Sequence, residues 1–340
     1  MSGSGRGRVV TAAAVVLLAA GAAVGALLLV ADEPRPTPRN ALVIVVDALR
    51  ADATTWHGCP LPTTEKTAEF ARRGVLFEEA RAQSTYTRAS YLSYMTSTYV
   101  RTHGWDYVVP GSSSPRGAFC ERDDLVTLPE VLAENGFDTE ALVGNRFLDP
   151  KNGFPRGFHR WNENEVASFA GRDIRRKSMR KIVDAELAEM TAERLADWED
   201  DERHFLYVHM MAPHLPHTPL PEAREIFDLP ADGPRRIGVP DVRRMERSST
   251  EAEREMVRDY YHASVWFSDG HTSRVLRAVE RTGHLDDTVV VYTADHGEEI
   301  WEHGLFGHTR GVWKPLAHVP LFMLIPGVEA RRVRRPVELV

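Results

Sequence analysis

Thr288-Val289-Val290-Val291-Tyr292-Thr293-Ala294-Asp295-His296-Gly297-Glu298-Glu299 is the stretch on which the fold turns. Thr288 to Tyr292 is β-branched or aromatic throughout, and apolar runs of that length bounded by polar residues read as buried strands. The run stops at an Asp-His pair. Open α/β sheets bind ligands beyond the carboxyl ends of their strands, so Asp295 and His296 stand where binding chemistry is expected. An Asp beside a His also suits a borderline divalent metal such as zinc or manganese. A solvated Asp and a capping His would leave the same local trace. A matching segment near the other end of the chain separates the two readings.

That segment is Asn40-Ala41-Leu42-Val43-Ile44-Val45-Val46-Asp47-Ala48-Leu49-Arg50-Ala51-Asp52. It too is a short β-branched run ending in Asp. A continuous apolar run implies a strand covered on both faces, as in a parallel sheet flanked by helices. If the two strands are neighbours, Asp47, Asp295 and His296 emerge on one rim and outline a metal site. Asp47 alone would read equally as a helix N-cap.

Further strands are expected at 138–143, 204–211 and 319–325, beside the two runs above at 41–46 and 287–293. Helices are expected at 64–73, 88–96, 127–135, 183–198 and 251–282. This alternation predicts one α/β unit over 40–340, a mostly parallel central sheet with helices on both faces. Residues 215–250, rich in Pro and charge, read as a long excursion bordering the site. The chain carries 42 Lys and Arg against 49 Asp and Glu, a net charge of −7, which argues against nucleic acid as a partner. Basic clusters at Arg172 to Lys181 and Arg331 to Arg335 read as solvated faces, with a lipid-phosphate contact as the alternative. Cys59 and Cys120 are the only cysteines. They form either one disulfide of an exported domain or two buried thiols.

Val9 to Ala31 is an uninterrupted run of apolar and small residues, long enough to span a bilayer. Arg6 and Arg8 precede it, and a short basic head normally stays inside. The expected organisation is a cytoplasmic head over 1–8, a transmembrane anchor over 9–31 and a Pro-rich linker over 32–39. The domain then lies outside the cytoplasm. A cleaved signal peptide is the rival reading, although its apolar core is usually shorter.

Several motifs occur together and in order. They are the Asp47 segment, Thr64 to Ser84, Arg101-Thr102-His103-Gly104, Pro213-His214-Leu215-Pro216, Asp295-His296-Gly297, Gly307-His308 and Val319-Pro320-Leu321. In this order they resemble the sulfatase branch of the alkaline phosphatase superfamily, over about residues 40 to 340. The resemblance implies the alkaline-phosphatase-like α/β sandwich. It also implies a C-terminal subdomain with a small sheet beyond the point where this sequence stops at Val340, so a short member or a truncated product is the expectation.

The resemblance places the nucleophile at the start of a helix, nine residues before the Thr of a Leu-Thr-Gly turn. Here that turn reads Met95-Thr96-Ser97, so the position falls on Thr87. A helix N-terminus offers free N–H groups and a positive dipole end, which suit an anionic nucleophile and an oxyanion substrate. Thr87 as a plain N-cap is the alternative, and Ser84, Thr85 and Ser90 are neighbouring hydroxyls. Sulfatases resemble Cys-x-Pro-Ser-Arg here, with the Cys, or sometimes Ser, oxidised to formylglycine. This chain has Thr87, Ala89 and Tyr91 at the Cys, Pro and Arg places, and Thr cannot become that aldehyde. Only one Asp follows the first strand, where typical sulfatases carry two. The pattern is closer to relatives with an unmodified Thr, including phosphodiesterases and envelope phosphoethanolamine or phosphoglycerol transferases.

The expected site follows from this. One divalent ion (Mn, Zn, Ca or Mg) is held by Asp47, Asp295, His296 and Thr87. Thr87 and His214 are catalytic, His214 as general acid or ester-oxygen ligand, and His308 and Arg88 bind substrate. His217 and His303 read as spectators and Asp269 as structural. The expected activity is hydrolysis or transfer of phosphate esters on a small molecule, glycan or lipid headgroup. A sulfuric ester hydrolase is the alternative, and a non-catalytic relative binding an anionic glycan or headgroup the second.

Overall fold

A computed structural model describes residues 37–105, 124–162, 164–165 and 183–340. The apolar run Val9 to Ala31, most of the linker, Cys120 and the Arg172 to Lys181 cluster lie outside these residues. Among the described residues no helix is long and apolar enough to cross a membrane.

The strands in chain order are β1 (Asn40–Val46), β2 (Val75–Arg81), β3 (Asp138–Val143), β4 (Arg160–Trp161), β5 (Asn164–Glu165), β6 (His204–Met210), β7 (Thr288–Ala294), β8 (Glu299–Ile300), β9 (Phe306–Gly307), β10 (His318–Leu324), β11 (Arg331–Val333) and β12 (Val337–Glu338). The main sheet runs β11-β2-β10-β7-β1-β6-β3-β4-β5, with β12 also on β2. Its centre, β7-β1-β6-β3-β4, is parallel, and β10 and β5 pair antiparallel. β8 and β9 form a separate hairpin.

The apolar runs of β1, β6 and β7 follow from burial on both faces. Val43 pairs with Tyr207, and Ile44 pairs with Tyr292, so the two tyrosines project to opposite faces. Tyr207 meets Tyr91 and Tyr94 of the helix Thr87–Thr96, with a 2.7 Å hydroxyl contact to Tyr94. Tyr292 stacks on Phe322 and bonds Thr272 of the long helix Glu251–Arg281. The protein is therefore an α/β sandwich with a mixed, mostly parallel sheet covered on both sides.

Helix ends follow local chemistry. Thr250 opens the long helix with a capping box, its hydroxyl accepting from Glu253 N while Glu253 accepts from Thr250 N. The helix Glu65–Ala71 borrows its cap. Thr64 spends its hydroxyl on Thr55 N, and Asp269 accepts from Lys66 N and Thr67 N at 3.1 and 2.8 Å. Asp269 is thus structural, as read from the sequence.

The structure adds elements that the sequence reading lacked. The excursion 215–250 holds two helices, Pro221–Ile226 and Val239–Arg247. The second buries Val242 and Met245, three residues apart, a stripe too short to stand out among its arginines. β2 went unread because Glu78 and Glu79 interrupt its apolar run. β11 and β12 add to that same side of the sheet. Arg331 and Arg332 are exposed as expected, with Arg332 3.6 Å from Glu78. Cys59 is a free thiol among the described residues.

Candidate active site

β1 and β7 are neighbours in register, Val46 beside Ala294, so Asp47 and Asp295 leave the sheet side by side. The chain turns sharply after each. Ala48 adopts a left-handed φ of 58°, a strained value for a residue with a Cβ. Two contacts hold it there: Ala48 N donates to Asp295 Oδ1, and Tyr261 Oη donates to Ala48 O at 2.9 Å. Asp295 Oδ1 also accepts from His296 N at 2.9 Å. Among the described residues its Oδ2 has no hydrogen-bond partner, and neither does Asp47 Oδ1, although both side chains are fully buried.

His296 sits between these two oxygens. Its Nε2 lies 3.7 Å from Asp47 Oδ1, 3.5 Å from Asp295 Oδ2 and 3.3 Å from Thr87 Oγ1. Its Nδ1 lies 2.8 Å from Gly297 O, a carbonyl that can only accept. Nδ1 therefore carries the proton, and neutral His296 turns a lone pair inward. Burial pulls the His296 imidazole below its ordinary value, and neighbouring His308 adds to this against the pull of Asp295 and Asp47. An inward lone pair facing two unbonded carboxylate oxygens repels them all, and a cation among them removes that conflict.

Thr87 completes the convergence. It is the first residue of its helix, after the extended Tyr86, and caps nothing with its side chain. Its hydroxyl is therefore free of the N-cap role. Asn145 Nδ2 donates to Thr87 Oγ1 at 3.3 Å and makes a short contact to Asp47 Oδ2. Two neighbouring hydroxyls are engaged elsewhere: Thr85 bonds Gly311 O and Ser90 bonds Ser84 O. Asn145 follows β3 and was not singled out from the sequence. A polar residue just beyond a core strand was the available signal, the one that marked Asp47 and Asp295.

His209, inside β6, was also missed. Its Nε2 lies 3.3 Å from Asp47 Oδ2 and 3.9 Å from Asp295 Oδ2, and its Nδ1 contacts the Tyr207 hydroxyl at 2.7 Å. Ligand atoms of Asp47, His209 and Asp295 all lie within 4.8 Å of one another, so this trio could also grip a metal ion. Burial lowers the His209 imidazole, but the hydrogen bond to Asp47 and the charge of Asp295 outweigh it and leave it raised. Through this contact His209 braces Asp47 from outside the Thr87–His296 cluster. Burial also raises the Asp47 carboxyl, and His214 and the hydrogen bond to His209 reverse this, holding it well below the usual carboxylate range.

His214 and His308 form the half-exposed side of the site. Their rings are 5.1 Å apart, and His308 lies 4.4 Å from the His296 ring. Asp184 fixes the turn before His214 by accepting from Met211 N and Ala212 N at 2.7 and 2.8 Å. His214 Nδ1 faces Leu215 O at 2.8 Å. The loop after His308 is pinned to the strand-to-helix segment before Thr87. Thr309, at a left-handed φ of 78°, donates its N–H to Thr85 O at 3.1 Å.

Arg88 makes its contacts away from the carboxylates. Its Nε donates to Phe147 O at 2.7 Å, and its guanidinium lies over Trp105 and Phe147. His217 is buried against Ser264, and burial pulls its imidazole down to about 4. His303 pairs with Glu299 and stacks on Trp313. Neither is brought to the Thr87 cluster.

A family model described as Sulfatase matches residues 39–339 of this chain. Human N-sulphoglucosamine sulphohydrolase is 25% identical over 285 residues, covering 80% of this chain and 53% of the relative. The chain thus spans about half the length of that curated relative. Among solved structures, the phosphonate monoester hydrolase of Agrobacterium radiobacter superposes with a TM-score of 0.65 at 20% identity. That match covers 90% of this chain and 71% of the other. The C-terminal periplasmic domain of EptC from Escherichia coli, in complex with zinc, gives a TM-score of 0.60 at 14% identity. It covers 87% of this chain and 78% of the other. At such identities the two structures speak for the fold.

Proposed function

The chain belongs to the sulfatase family, and from that premise we propose that it is a metal-dependent hydrolase or transferase of phosphate esters with Thr87 as nucleophile. The observation that carries this reading is the meeting of Thr87 Oγ1 and His296 Nε2 with two orphaned carboxylate oxygens, Asp47 Oδ1 and Asp295 Oδ2. Those four atoms are the proposed ligand set, with His209 and Asn145 bracing Asp47 from behind. A divalent ion bound there would lower the pKa of the hydroxyl and offset charge on the transferring group.

The chain's own groups supply the rest. Asn145 donates to Thr87 Oγ1 and so favours its deprotonated form. Attack of Thr87 Oγ1 on phosphorus forms a Thr87 phosphoester and breaks the bond to the leaving alcohol. His214 gives that alcohol its proton. Water or an acceptor hydroxyl then gives its proton to the now neutral His214, attacks phosphorus and frees Thr87 as the oxyanion. The N–H groups of the first turn of the Thr87 helix bind the phosphoryl oxygens in both steps. His308 contacts the same group from the half-exposed side, and Arg88 lines the rim. We extend the reading to a membrane-anchored protein with this domain outside the cytoplasm, on the strength of the run Val9 to Ala31.

Phosphate is preferred to sulfate for a chemical reason. Formylglycine releases sulfate by re-forming an aldehyde from its hydrate, and Thr87 has no such exit. The name of the human relative, which acts on a sulphated glucosamine, supports a second reading as a sulfuric ester hydrolase on glycans. Turnover of an aryl phosphate, an aryl phosphodiester and an aryl sulfate by the full chain separates the two. Preference for either phosphate ester supports the first reading, and preference for the sulfate the second.

A further inference from the structure

His308 reaches the site from the end of β9, and a buried carboxylate meets it there. Glu298 Oε1 lies 2.9 Å from His308 Nδ1. Glu298 is 1% exposed and is held through its main chain, with Arg50 Nη1 donating to Glu298 O at 3.1 Å. The His308 ring also lies against the rings of His296 and His214. With Nδ1 committed to Glu298, Nε2 is the polar atom His308 has left. No described residue takes it. An imidazole turns easily about its terminal torsion, so without an acceptor either ring nitrogen could face inward. A carboxylate can only accept, which selects one orientation and one tautomer.

We propose that Glu298 is a positioning residue: it holds the His308 imidazole with Nδ1–H turned toward its own carboxylate, so that Nε2 is presented to the anionic group of the substrate. Glu298 touches no substrate and acts through His308. The identity of the anion rests on the phosphate-ester reading above, whereas the dyad does not.

Two measurements on the full chain test this, imidazole ¹⁵N NMR and calorimetric affinity of the metal-loaded protein for inorganic phosphate. The wild type should show a His308 Nδ1–H resonance, assigned by its loss in His308→Gln, and Glu298→Ala should lose it. Phosphate affinity should fall roughly 10- to 100-fold in both Glu298→Ala and His308→Gln, with metal content unchanged. The double variant should bind within about threefold of His308→Gln alone, because both substitutions break one contact. Glu298→Gln, isosteric and still carrying an acceptor oxygen, should retain part of the affinity. It also guards against misfolding of the alanine variant, since its His308 resonance should shift. Losses that multiply in the double variant would overturn the proposal, as would a His308 resonance unmoved in both Glu298 variants. A wild type with the Nδ1–H resonance and no phosphate binding upholds the dyad and refutes the phosphate reading.

Discussion

Asp47 and Asp295 directly follow adjacent parallel strands in register, and each keeps one fully buried carboxylate oxygen without a hydrogen bond among the described residues. Two such charges side by side cost stability unless a cation joins them. Asp295→Asn should therefore lower metal content while raising the stability of the chelated protein by about 1 kcal/mol or more. Its Oδ1 can still accept from Ala48 N and His296 N. His296→Ala should also lower metal content. Metal analysis and melting curves with and without chelator check both. Full occupancy in the two variants would remove the site.

Acid should destabilise the protein through His217. Its folded imidazole is pulled down to about 4 by burial, against roughly 6.5 in the unfolded chain. Between those values the unfolded state binds more protons, so stability rises with pH across the window and falls on acidification. At pH 5 the loss relative to pH 8 should be about 2 kcal/mol from this one group. Denaturant melts of wild type and His217→Gln at the two pH values should show a smaller pH difference in the variant. Equal differences would contradict the assignment.

The borrowed cap gives a separate stability test. Asp269→Ala strips two N–H groups of the Glu65–Ala71 helix of their acceptor. It should cost about 1–2 kcal/mol and leave metal content unchanged. Loss of metal in proportion to stability would instead tie Asp269 to the site.

Much of this was legible before folding. The strands β1, β7 and β10 are mostly apolar runs, and hydrophobic burial on two faces is the signal such runs carry; β3 and β6 keep enough of that signal despite Glu140 and His209. Asp47 and Asp295 could be paired in advance because both follow such runs directly. Asn145 obeys the same rule one position late, after Gly144 rather than directly after its strand. His209 was hidden inside a core strand, where its partner Asp47 comes from 162 positions away. Glu298 looks like one of two acidic residues in a loop, and only folding shows that it is buried against His308 while Glu299 meets His303.

The N-terminal run makes a prediction of its own. The full chain should sediment with membranes, and protease added to intact spheroplasts should digest residues 40–340, provided the run Val9 to Ala31 is an anchor. Protection of those residues would contradict an outward-facing domain. A mature N-terminus near Leu27 or Asp32 would favour a cleaved signal peptide.

The central claim is that Thr87 attacks the ester. Tandem mass spectrometry of the full chain, acid-quenched during turnover of an aryl phosphate, tests it most directly. The account predicts a phosphate on Thr87, absent from a substrate-free control. It also predicts that Thr87→Ala loses both the adduct and at least about a thousandfold in kcat, while folding and binding phosphate. A clear preference for the aryl sulfate that survives in Thr87→Ala, with no phosphate on Thr87 in the wild type, would contradict it.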